Sequence, residues 1–176
     1  MKAARILLLT ITAFASQATP LAAMDATRSI AVNAAAAPNL TTLVSAAKGA
    51  DLIATLSGPG PYTVFAPDND AFGRLAPGMV DALMKPVNKA TLARLLTYHV
   101  VPGIITLDEL NQRVKAGGGR AILATVEGEP LTVTNPDGAI LLTDVNGNTS
   151  HIEMPDLRQS NGIVHVVNAV LIPKLG

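Results

Sequence analysis

The sequence predicts an α+β fold, and three observations carry that prediction. Up to about residue 116, apolar residues recur at helical spacing in short runs broken by Pro and Gly, as at Gly58-Pro-Gly-Pro61. From Arg120 onward the period shortens to strand-like runs separated by turn sequences such as Asn135-Pro-Asp-Gly138. No internal repeat is visible. Helices gathered ahead of strands argue for one α+β domain rather than an alternating βαβ chain.

Each element has a local reason. Asn39 or Thr41 is placed to cap a helix running to Leu56, with Leu40, Leu43, Val44, Ala47, Leu52 and Ile53 on its apolar face and Gly49 as a weak point. The Gly-Pro-Gly-Pro run stops that helix, because Pro has no amide proton to donate and Gly frees the backbone. Tyr62-Thr-Val-Phe-Ala66 reads as a strand that Pro67 ends. Asp68, Asn69 and Asp70 suit the cap of a short helix to Leu75. Pro77 opens another, to about Met84. Asn88 opens a third, with Leu92, Leu95 and Leu96 as its apolar face. Val100-Val-Pro-Gly103 then turns the chain toward the sheet. Thr106-Leu-Asp-Glu109 fits a capping box, and the helix it opens ends at Gly117-Gly-Gly119. Strands are expected over Ala121–Val126, Pro130–Thr134, Ala139–Thr143, Ser150–Met154 and Ile163–Ile172, with a further turn at Asp144-Val-Asn-Gly-Asn148.

The N-terminus has the three parts of a secretory leader: Lys2 and Arg5, an apolar run from Ile6 to Ala15, and small residues at Ser16-Gln-Ala18 and Leu21-Ala-Ala23. The expected division is a signal peptide over 1–23, an Ala-rich flexible linker over 24–37, and a single domain over 38–174. The apolar run is shorter than the roughly 20 residues a membrane span needs, so no stable membrane insertion is expected once the leader is cleaved. The chain has 13 basic and 13 acidic residues, and with Lys2 and Arg5 removed the remainder carries a net charge of −2. Its Lys and Arg are scattered singly, which excludes the clustered basic face of a nucleic-acid binder. It has no Cys, so there is no lipid-anchored N-terminus and no disulfide. A domain of about 140 residues can bury a sufficient core without staples. An exported, Cys-free domain suits the bacterial periplasm or medium.

Two segments resemble the signature blocks of a known family. They are Tyr62-Thr-Val-Phe-Ala-Pro-Asp-Asn-Asp-Ala-Phe72 and Asn161-Gly-Ile-Val-His-Val-Val-Asn-Ala-Val-Leu-Ile-Pro173. Between them lies Leu95-Leu-Thr-Tyr-His-Val-Val-Pro-Gly103. In this order the three resemble a fasciclin domain, over roughly Pro38 to Pro173. The resemblance implies a wedge-shaped β-sandwich with short helices packed along one edge, and with the two signature strands close together at its centre. It also implies a non-enzymatic module of adhesion or of protein and matrix interaction. Some members of the family carry carotenoids, so the alternative it implies is a carrier of a hydrophobic small molecule.

The residues themselves point away from catalysis. There is no Cys nucleophile, no Gly-x-Ser-x-Gly elbow and no phosphate loop. Asp68-Asn-Asp70 begins like a calcium loop, but Phe72 and Met79 stand where ligands belong, so helix capping explains these residues better. His99, His151 and His165 lack metal-ligand spacing and are expected to bond to backbone groups. No catalytic residue, metal or cofactor is assigned. The candidate interaction residues are Tyr98 and His99, which the resemblance links to adhesion, and Asp156 and Leu157, which stand where the family often has an Asp-Ile pair. For Tyr98 and His99 an architectural role is the competing reading; for Asp156 it is ordering the turn before Asn161-Gly162. The expected partner is a surface or matrix protein or a glycan, with a hydrophobic small molecule as the alternative, in the periplasm or outside the cell.

Overall fold

The computed structural model describes residues 25–175, so the leader expected over 1–23 lies outside the described residues. The elements run α1 (Ile30–Ala36), a 3-10 turn (Pro38–Leu40), α2 (Thr41–Gly49), α3 (Ile53–Leu56), β1 (Tyr62–Pro67), α4 (Asn69–Gly73) and α5 (Met79–Leu83). After a second 3-10 turn (Pro86–Asn88) come α6 (Lys89–Tyr98), β2 (Val100–Pro102), α7 (Leu107–Ala116), β3 (Arg120–Ala124), β4 (Pro130–Thr134), β5 (Leu141–Thr143), β6 (Thr149–Gln159) and β7 (Gly162–Val167). The seven strands form one hydrogen-bonded ribbon in the order β2-β1-β7-β6-β5-β4-β3.

The ribbon becomes a sandwich at β6. The start of this strand pairs with β5, at His151, Ser150 and Thr149, and its remainder pairs with β7 from Ile152 to Gln159. Two register shifts lie between Ile152 and Leu157, where Pro155 can donate no amide bond and Asp156 adopts a positive φ of 58°. Such bulges bend a strand and increase its twist. The half-sheet of β2, β1 and β7 thereby faces the half-sheet of β3, β4 and β5. Phe65, Val101 and Val167 share one core with Leu123, Leu131, Val133 and Leu142. The two ends of the ribbon also meet, since Val126 N donates to Val100 O at 2.8 Å.

The signature strands β1 and β7 are adjacent and parallel, from Tyr62 opposite Gly162 to Pro67 opposite Val167. Both are covered on two faces. Phe65 and Val167 point into the sandwich, while Val64, Ala66 and Val164 pack under the helices with Leu40, Leu43, Leu92 and Leu95. That double burial explains why β7 is apolar at almost every position rather than alternating.

Several local expectations differ from the structure. The helix expected to run to Leu56 is two pieces, because Asp51 adopts a positive φ of 57° and breaks it. Asp68 caps α4 as expected, its carboxylate accepting from Ala71 N at 2.7 Å. The capping box is half made: Thr106 Oγ1 accepts from Glu109 N at 3.2 Å, but the Glu109 carboxylate turns instead to Arg113, one helical turn on. β7 ends at Val167 rather than Ile172: Asn168 N still donates to His151 O at 3.1 Å, but the Asn168 side-chain oxygen accepts from His151 N at 2.9 Å.

The flexible linker expected over 24–37 is the main correction. Ile30–Ala36 is a helix with Ile30, Ala31 and Asn33 buried. Its pattern is short and mostly Ala, so it has little helical signal of its own. It is ordered by docking: Ser160 N donates to Arg28 O at 2.9 Å, and Ile30 N donates to the Asn161 side chain at 2.9 Å. Among the described residues no single helix is long and apolar enough to cross a membrane.

Candidate functional site

Tyr98 and His99 are inside the domain, at 0% and 1% exposure. Tyr98 closes α6, and its hydroxyl donates to Pro130 O at 2.9 Å and accepts from Val145 N at 3.2 Å. Burial pushes the phenol up to about 12. His99 Nδ1 donates to Leu95 O at 2.8 Å and Nε2 accepts from Leu171 N at 3.0 Å. That tautomer follows from the partners, since a carbonyl only accepts and an amide only donates. Burial holds the imidazole down at about 4, so it is neutral at neutral pH. Together the pair ties α6 to the first residue of β4, to the turn after β5 and to the C-terminal segment. As residues of a docking surface Tyr98 and His99 are therefore corrected to architectural ones, because neither is presented on the surface of the folded domain. Tyr98→Phe is expected to lower stability by about 1–3 kcal/mol, since it removes both hydrogen bonds of the buried hydroxyl, to Pro130 O and from Val145 N; denaturant unfolding would measure it.

Asp156 and Leu157 sit on the bulge of β6. Asp156 is exposed, while Leu157 is half-buried against the helical core. Asp156 Oδ1 accepts from Leu107 N at 2.9 Å, fastening the start of α7 to β6. Its own amide donates to His165 Nδ1 at 3.1 Å. His165 Nε2 donates to Ile105 O at 2.8 Å, and the ring stacks on Phe65 at 5.5 Å between centroids. Burial lowers the pKa of His165. His165 and Asp156 are 4.0 Å apart, which would suit a general base with its orienting carboxylate. Both imidazole nitrogens are already taken by backbone groups, however, and the ring is fully buried, so it has no nitrogen with which to receive a substrate proton.

A cavity lies on the opposite face of β1 and β7, under the helices. It holds about 100 Å³. Its floor is Val64, Ala66 and Val164; its walls come from Leu43, Val44 and Ala47 of α2 and from Ile53 and Leu56 of α3; Leu96, His99 and Val100 close its inner end. Ile30, Ala31 and Ala34 of α1 form the remaining wall. The lining is almost wholly aliphatic. Tyr62 also lines it, and its hydroxyl makes no hydrogen bond among the described residues. A concave apolar space with few polar groups is the usual form of a small-molecule site. The sequence did not separate these residues from ordinary core. It missed Ile30, Ala31 and Ala34 altogether because their segment was read as a linker; the one available signal was the i, i+1, i+4 spacing of those three.

Asn161 also escaped the sequence reading. Its Oδ1 accepts from Ile30 N at 2.9 Å, and its Nδ2 donates to Leu56 O at 2.9 Å and Gly58 O at 2.7 Å. One buried amide thus joins α1, α3 and the start of β7. The turn role expected at Asn161-Gly162 describes the backbone and leaves out this side chain.

Comparison with known proteins agrees with the architecture. Residues 38–173 match the fasciclin domain family. The chain is 41% identical to protein sll1483 of Synechocystis sp. over 154 residues, covering 88% of this chain and 78% of that protein. It is 34% identical to the immunogenic protein MPB70 of Mycobacterium bovis, covering 82% of this chain and 68% of that protein. Among solved structures it superposes on a domain pair from the insect cell adhesion molecule fasciclin I, with a TM-score of 0.72 at 18% identity, covering 85% of this chain and 51% of that one. At that identity the superposition speaks to fold alone. The paired parallel signature strands, the bent seven-stranded ribbon and the match over residues 38–173 make this chain a member of the fasciclin family.

Proposed function

We propose that this domain is a non-enzymatic binding module, exported to the periplasm or the medium, whose ligand is a small apolar molecule held between the helices and the sheet. Fasciclin domains are generally non-catalytic binding modules associated with adhesion and matrix roles. The observation that carries the ligand reading is the aliphatic cavity under α1, α2 and α3, with the Tyr62 side chain as a polar point in its lining. The chemistry that fits is an apolar body with one hydrogen-bonding end, such as a terminal hydroxyl or carbonyl; a carotenoid is one such molecule. The test is the absorption spectrum and native mass of the protein purified from its own host. An apolar mass should co-purify with the wild type and be lost from Ala47→Leu, which fills the cavity from α2. A ligand-free wild type that also takes up no added apolar probe would sink the reading.

Attachment to a surface or matrix protein or a glycan is the second reading, and the β6 bulge favours it. Asp156 presents an exposed carboxylate on a positive-φ backbone, between exposed Glu153 and Arg158. Asp156→Asn keeps an acceptor and tolerates that backbone but removes the charge. Binding to host surface material should fall several-fold in this variant; unchanged binding would remove the bulge as the docking site.

A further inference from the structure

The cavity has no room for the ligand it is shaped for. At about 100 Å³ it is smaller than the roughly 150 Å³ engineered cavity that admits benzene. A larger molecule either projects past the exposed Thr55 and Val126 at the rim or displaces a wall. The floor is the central strand pair, buried on both faces, and α2 and α6 belong to the main helical core. That leaves α1 and α3, and the end of the four-residue α3 is fastened by Asn161 Nδ2, which donates to Leu56 O at 2.9 Å and to Gly58 O at 2.7 Å.

We propose that α1 is the door of the apolar pocket, hinged at Ala37-Pro38 and latched to the β6–β7 turn. The proposal rests on the apolar-ligand reading above. Helix α1 has seven residues, no side-chain cap on its first turn, and no acidic residue there. A helix that short is marginal on its own. It commits one branched side chain, Ile30, to the core, and otherwise alanines and Asn33. Its last residue is followed by Ala37 in an extended conformation and then by Pro38, which keeps the preceding residue out of helical space and gives the segment a pivot.

The latch is polar and concentrated. Arg28 O accepts from Ser160 N at 2.9 Å, and Ile30 N donates to Asn161 Oδ1 at 2.9 Å. Asn33 Nδ2 donates to Gln159 Oε1 and, at 2.8 Å, to Asp25 O. These three hydrogen bonds to residues outside the segment fall on the consecutive residues Gln159, Ser160 and Asn161. Segments held by few apolar contacts and a handful of hydrogen bonds open locally at lower free energy than the core. Opening here removes Ile30, Ala31 and Ala34 together from the pocket wall, leaving the sheet floor intact.

The test uses the association kinetics of N-phenyl-1-naphthylamine, an uncharged probe larger than the closed cavity, with the full mature protein. In the wild type the observed rate should level off at high probe concentration, at the opening rate of α1. Asn33→Ala should raise that plateau roughly tenfold, as expected for loss of about 1.4 kcal/mol of latch. The chain has no Cys, so Arg28→Cys with Ser160→Cys provides a clean thiol pair across the latch. Closing it with a short thiol cross-linker should abolish uptake, and the same protein left unlinked should bind, which separates locking from misfolding. Uptake by the linked protein as fast as by the unlinked one, or a plateau unmoved by Asn33→Ala, would overturn the door while leaving the pocket. No fluorescence gain in any form would overturn the pocket reading and the door with it.

Discussion

Gly162→Ala is expected to unfold the domain or to remove most of its stability. Gly162 opens β7 directly opposite Tyr62 in the parallel pair. A Cβ on Gly162 would lie 2.0 Å from Tyr62 O and 2.9 Å from its carbonyl carbon, both backbone atoms. Neither can give way without shifting β1 against β7, which form the two-sided centre of the fold. Overpacking a backbone contact of this kind belongs with the rare substitutions costing more than about 4 kcal/mol, against a total stability of roughly 5–15 kcal/mol. Gly73→Ala is the control. It lies in α4 with nothing within 4 Å of its added Cβ, so it should be neutral or slightly stabilising. Guanidinium midpoints of the two variants beside the wild type would check this. A Gly162→Ala protein with a wild-type midpoint would mean that β1 and β7 do not meet in this register.

Stability should also fall as the pH drops from about 6.5 to about 4. His99 has a folded pKa of about 4, lowered mainly by burial, and would titrate near 6.5 in the unfolded chain. The unfolded state therefore binds a proton across that window while the folded state refuses it. The contribution is complete above pH 6.5 and is lost progressively down to pH 4. For His99 alone the loss amounts to about 3 kcal/mol. His165 shifts in the same direction from the same cause. The geometry gives the reason: protonation would turn the acceptor nitrogen of each ring into a donor aimed at a backbone N–H, that of Leu171 for His99 and that of Asp156 for His165. Glu127, whose pKa is lowered mainly by its hydrogen bond to Arg94, also loses its contribution in acid, but below its ordinary value of 4.5. Most of the histidine window thus lies above it. Thermal melts from pH 8 to pH 4 should slope downward below 6.5 in the wild type. His99→Gln should start lower and slope less. An unchanged slope in both His99→Gln and His165→Gln would rule out buried neutral imidazoles as its source.

Much of this fold was readable residue by residue. Pro67, the Gly58–Pro61 run, the Asp68 cap and the turns at Asn135 and Asp144 are local devices whose physics involves neighbours a few positions away. They mark where elements start and stop without reference to the rest of the chain. The apolar runs at Tyr62–Ala66 and Ile163–Val167 likewise announced strands, and their likeness to the fasciclin signature blocks placed them together at the centre. The candidate sites were far less readable. Tyr98-His99 looks the same on paper whether its rings face solvent or core. Only the carbonyls of Pro130 and Leu95 and the amides of Val145 and Leu171 decide, and three of those four are distant in sequence.

What the sequence determined by itself is the α+β class, the helix-then-strand order, the turn chemistry, the absence of disulfides and the family resemblance. All of these depend on local propensity, spacing or composition. The tertiary structure alone decided that α1 is a docked wall rather than a linker, that Tyr98 and His99 are enclosed while Asp156 is exposed, that Asn161 joins three elements, and that an aliphatic cavity remains between helices and sheet. Each of these is a relation between segments roughly 30 to more than 100 residues apart. It is set by how the ribbon folds at β6 and where the helices then come to rest, and a local pattern carries no term for either.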